Sequence, residues 1–221
     1  MTNSLKNLQQ LVQTQTRVRD RQQRLSEEVY QHVIGNSESI TKPNFTSISP
    51  ADLGLLFQIN DELFFNGMVG RCCEQKAERP LSFRLSTRMT NAGGTTTMFR
   101  SGSRRKPKFE YEIAIATTPL FGTFSKQTGV GSSVVGGLPC HDRLQALQRI
   151  MEHEMIHLIE MLIWDDSNCQ ADLSNKSSIV FLAILNPTIS YYAPKILLGS
   201  NSALALATLF RLTTKAIKKQ A

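Results

Sequence analysis

Apolar residues recur at helical spacing in three parts of this 221-residue chain and at alternate positions in two others, and the change of period marks out its elements. Residues 4 to 35 are polar, with no Gly or Pro until Gly35. Leu8, Leu11, Val18, Leu25 and Val29 stand at roughly heptad spacing, interrupted by Gln15 and Gln22. This predicts one long amphipathic helix, which either lies on a domain or self-associates as a coiled coil. Its shortness and its glutamines weigh against self-association. Residues 36 to 48, rich in Ser, Thr and Asn, read as a linker. Ser49-Pro50-Ala51-Asp52 then starts a helix, with a Ser cap, Pro at the first helical position and an acid in the first turn. That helix runs through Leu55, Leu56, Ile59 and Leu63 to Phe64 and Phe65, and Asn66-Gly67 supplies its stop.

The period then shortens to two. Leu81 to Ser86 alternates, Asn91 to Phe99 begins as a turn and continues as a strand, and Phe109 to Ala116 alternates again. The segment Arg100 to Lys108 between the last two is a basic loop, either a phosphate-contacting element or a solvated hairpin tip. Gly129 to Gly137 reads as a flexible loop. Asp142 caps a second strong helix, through Leu144, Leu147, Ile150, Met151, Leu158 and Met161 to about Trp164. Helix, small mostly antiparallel sheet and helix make an α+β layout. The domain expectation is an N-terminal helix and linker over 1–48, a catalytic-type domain over 49–172 and an atypical tail over 173–221.

Charge changes this picture only at the end of the chain. The formal net charge is +7, which hints at nucleic acid. Residues 173 to 221 hold six of the basic residues and no Asp or Glu, so the first 172 carry only +1. The four cysteines, Cys72, Cys73, Cys140 and Cys169, show no paired framework. With no secretory apolar segment at the N-terminus, this points to a reducing, cytoplasmic setting. The adjacent Cys72 and Cys73 lack the spacing of a zinc knuckle or redox pair. No run is long enough for a membrane span.

The chemistry lies in His153-Glu154-Met155-Ile156-His157. Two histidines four apart leave one face of a helix and can meet a single zinc ion (Zn2+). Glu154, beside the first, can take the proton of the water that the metal activates, producing the nucleophile for a peptide carbonyl. HExxH alone is short; here it sits in a capped, apolar-periodic helix of a chain with only four histidines.

The surrounding segments resemble the SprT-like family of zinc metallopeptidases. LLFQINDELFFNG resembles the family's first-helix motif, RLSTRMTNAGGTTT its strand around a T-x-x-G element, YEIAIATTPLF its edge strand and RLQALQRIMEHEMIHLIEMLIW its catalytic helix. The resemblance covers about residues 50 to 166. It implies a zincin-like minimal metallopeptidase fold, metal binding by His153 and His157, general base catalysis by Glu154 and a protein or peptide substrate. The family's Spartan members cleave proteins crosslinked to DNA. An edge strand near Glu112 to Ile115 could pair with substrate backbone.

The resemblance also implies a third metal ligand downstream, typically a His in an H-G-x-x-F setting, yet no histidine follows His157. Cys169 and Asp172 are the nearby candidates. Cys169 can bind zinc as a thiolate or stand as a free buried thiol. The acid-free tail suggests a wrong reading frame. Ile179 to Asn186 can be encoded ATC GTT TTT TTG GCC ATA CTG AAC, and one base earlier the same bases read R-F-F-G-H-T-E. The step continues through HQLLRPKDIA and FGISVGD, which are similar to the tails of bacterial SprT-like proteins. In every shifted codon only the first base is free. A frameshift near Asp172-Leu173 accounts for the missing histidines, the missing acids and the surplus charge together; the alternative is a divergent tail. Three functions follow as expectations: a zinc endopeptidase impaired by loss of its native C-terminal segment, a catalytically silent zinc-binding protein, or a DNA-associated module using the basic loop.

Overall fold

Four described helices precede the sheet, and α3 (Pro50–Phe65) is the one whose start and stop are both chemically marked. The structure, a computed structural model, describes residues 3–14, 19–90, 92–124, 133–135 and 138–163. Cys169, Asp172 and the tail 173–221 lie outside the described residues. The N-terminal region expected as one helix is described as two, α1 (Asn3–Thr14) and α2 (Arg19–Asn36). Leu8 and Val29, two of the heptad positions, are fully buried within this same chain, together with Val33, and Val12 is nearly so. α1 lies against α4 (Met68–Lys76) and α2 against α3 (Pro50–Phe65).

At the start of α3 the expected cap is present in full. The Ser49 hydroxyl accepts from the Asp52 amide and the Asp52 carboxylate accepts from the Ser49 amide at 2.7 Å. Asn66 ends the helix in the left-handed conformation. The next helix, α4, was not anticipated from the sequence, because its pattern MVGRCCEQK shows no strong period. A buried carboxylate starts it: Asp61 accepts from the amides of Val69 and Gly70 at 2.9 and 2.8 Å.

The segment read as a linker is pinned. Ile40 and Phe45 are fully buried, and the Ser37 hydroxyl donates to Asp52 at 2.6 Å. Phe45 meets Phe121 edge-on at 5.8 Å between centroids, and the buried Arg143 guanidinium donates to the carbonyl of Phe45 and lies over both rings.

The sheet has three strands, β1 (Ser82–Ser86), β2 (Gly94–Ser103) and β3 (Lys106–Ala116), in the order β1-β3-β2. β1 pairs with β3 in parallel and β2 with β3 antiparallel, so it is mixed rather than mostly antiparallel. Two expectations change here. The segment expected as an edge strand is the central strand β3, continued by the short helix α5 (Thr117–Thr123). Its residues Glu112 to Ile115 are paired on both sides, so they cannot accept a substrate strand. The basic loop is mostly strand, closing through Arg104 and Arg105 at an exposed hairpin tip. Part of the Gly/Ser-rich stretch also pairs, as β4 (Ser133–Val135) with β5 (Leu138–Cys140).

α6 (Arg143–Ile163) closes the α+β fold. Asp142 caps it as expected, accepting from the Gln145 amide at 2.8 Å. Fifteen of its 21 residues are buried, so it runs through the centre, in contact with all five other described helices and with β2, β3, β4 and β5. Among the described residues no helix is long and apolar enough to cross a membrane.

Candidate metal centre

His153 and His157 leave α6 one turn apart, which brings their rings to one place. The Nε2 atoms stand 3.1 Å apart and the ring centroids 4.7 Å apart, with the planes near perpendicular. Two nitrogens bonded to one zinc at about 2.0–2.1 Å in a tetrahedron stand roughly 3.4 Å apart. The pair therefore fits zinc as two of its ligands. Burial and the neighbouring His157 hold the His153 pKa below the usual histidine range, which favours the neutral form that a metal requires. The His157 pKa is pushed the other way, first by its contact with the Glu160 carboxylate.

Glu154 turns from the same helix toward the sheet. Its carboxylate is 3% exposed, and the Thr96 hydroxyl of β2 lies 2.9 Å from Oε2 and 2.8 Å from the Glu154 carbonyl. Burial raises the Glu154 pKa, with the Thr96 contact opposing. A raised pKa makes a carboxylate a stronger base. The sequence marks Thr96 only as one of three threonines; its role comes from register.

That register depends on a glycine pair. A Cβ on Gly94 would lie 2.8 Å from Glu154 Cγ and 2.9 Å from Ile150 Cγ2, and one on Gly93 would lie 3.0 Å from Ile150. The strand passes α6 this closely only because both positions lack side chains. Gly94→Ala is expected to destabilise the fold by about 1–3 kcal/mol through overpacking and to push Glu154 away from Thr96. Urea melts read the first effect, and an unchanged midpoint would show that the helix and strand separate without cost.

Cys169 and Asp172, the expected sources of a third ligand, lie outside the described residues. Among the described residues no group of three or more His, Cys, Asp or Glu is placed to hold a metal. Cys72 and Cys73 are core residues of α4 with thiols raised by burial, Cys72 to about 11, so they stay protonated. Glu160, which the sequence reading passed over, is 3% exposed, and its Oε2 lies 3.3 Å from His157 Nδ1. Family models, curated proteins and solved structures, when compared with this chain, yield no match.

Proposed function

We propose that this chain carries a zinc-dependent peptide-hydrolysing domain of the SprT type, with activity impaired by the lack of a firm third ligand. One observation carries the reading: His153 and His157 face each other through Nε2 at 3.1 Å, with the carboxylate of Glu154 on the same helix anchored by Thr96. His153 and His157 would hold the zinc. When bound, the metal lowers the pKa of water to about 7 and polarises a carbonyl. Glu154 takes the proton of the attacking water and returns it to the leaving amine, so no proton is lost from the cycle. Thr96 limits the carboxylate to one orientation, and burial between β2 and α6 keeps water from weakening it as a base. In this reading β2, an edge of the sheet in contact with α6, would receive an extended substrate.

Zinc content tests this. The full chain is expected to bind one zinc per molecule, measured by atomic absorption after dialysis at micromolar zinc. No bound metal would sink the reading. The lack of a third described ligand supports a second one, a catalytically silent zinc-binding protein. Zinc uptake without casein cleavage separates it from the first. The exposed tip at Arg104, Arg105, Lys106 and Lys108 supports a DNA-associated role. A DNA affinity that does not fall with added salt would count against that role. The frame of the tail is decided by the gene: stop codons in the minus-one frame after codon 172, or no FGHT there, would overturn the frameshift.

A further inference from the structure

Glu160 is a buried carboxylate that the proposed chemistry does not use. It is 3% exposed, and its only ion-pair contact among the described residues is with His157, 3.3 Å from Nδ1. Its second oxygen, Oε1, is buried with no hydrogen-bond partner among the described residues. A buried carboxyl oxygen without a hydrogen-bond donor is costly to keep. The basic side chains close to α6 are engaged elsewhere. Arg149 pairs with Glu152 at 2.6 Å, the Lys76 ammonium lies 3.2 Å from the Met161 carbonyl, and Arg143 is bonded to the carbonyls of Phe45, Leu120 and Phe121.

The missing compensation lies across the imidazole. A carboxylate at Nδ1 keeps the ring proton on that nitrogen, which leaves the Nε2 lone pair pointing at His153. We propose that Glu160 is a positioning residue for the metal: it fixes the His157 tautomer and ring plane, and through the ring its charge offsets that of a divalent cation bound at Nε2. The proposal rests on the zinc reading above. It accounts for a fact which that reading leaves unexplained, a buried carboxylate set against Nδ1 of His157. A structural role would instead supply Glu160 with a donor from the core, and the described residues offer none to Oε1.

The test uses the full chain and zinc alone. Zinc affinity is measured by competition with a chromophoric chelator for wild type, Glu160→Gln and Glu160→Asp, and thermal melts are recorded without metal and with it. Glu160→Gln is expected to weaken zinc binding by 10- to 100-fold, the range for the loss of such a partner. Its metal-free melting temperature should change little, because glutamine keeps the shape of the side chain, while its zinc-induced rise shrinks. Glu160→Asp should recover part of the affinity. If Glu160→Gln binds zinc as tightly as wild type, this proposal fails and the zinc reading stands. If wild type binds no zinc, both fail. If Glu160→Gln lowers the metal-free melting temperature without changing the zinc increment, Glu160 is structural and the proposal is overturned. Nitrogen-15 shifts of His157 in zinc-loaded wild type give a check that needs no variant: a proton on Nδ1 supports the proposal, and a metal on Nδ1 overturns it.

Discussion

In the chain whose tail is read in the minus-one frame, Glu154→Gln is expected to lower casein cleavage by about 10²- to 10⁴-fold while zinc content stays at one per molecule. Glutamine keeps the shape of the side chain and can still accept from the Thr96 hydroxyl, which lies 2.9 Å from the carboxylate. It has no site that takes a proton at neutral pH. His153 and His157 are untouched, so the metal should remain. Stability should not fall, because the substitution removes a charge that is 3% exposed. Initial rates on zinc-loaded protein decide the matter; activity within tenfold of wild type would place the base elsewhere. In the chain as it stands the same substitution is expected to change little, because the proposed reading leaves the zinc without a firm third ligand and cleavage weak.

The second large effect lies far from the histidines. Phe45→Ala should destabilise the protein by about 3–5 kcal/mol, the range for emptying a buried aromatic site. Phe45 is fully buried, packs on Phe121 and lies beneath the Arg143 guanidinium at the start of α6. A residue in a true linker would cost under about 0.5 kcal/mol. Urea denaturation followed by circular dichroism separates these values. A small loss would mean that the 37–48 segment is dispensable to the fold, and that α6 is held without it.

These two sites show how differently parts of the chain could be read in advance. The ends of α3 and α6 were legible because capping is local: Ser49 with Asp52, Asn66, and Asp142 each act within a few residues. The pairing of His153 with His157 was legible for the same reason, since one helical turn sets their distance. The linker was misjudged because Ser, Thr and Asn outnumber the two residues that matter, Ile40 and Phe45, and burial is not encoded in composition. α4 escaped because it begins on a carboxylate eight residues upstream, in another helix. The edge position of β3 is expected only from the family resemblance; its alternation at Phe109, Tyr111 and Ile113 tells which side chains face inward, and nothing in it tells how many neighbours the backbone has.

The sequence by itself determined the helix that carries His153, Glu154 and His157, the caps that begin α3 and α6 and end α3, and the α+β character of the chain. Each follows from interactions across three or four residues, or from a period repeated along one element. Tertiary structure decided that β3 is central, that Thr96 meets Glu154 and that Gly94 must lack a side chain for this to happen. It also decided that Glu160 stands buried behind His157. Those outcomes depend on contacts between segments tens of residues apart, or on which face of a helix the rest of the chain covers.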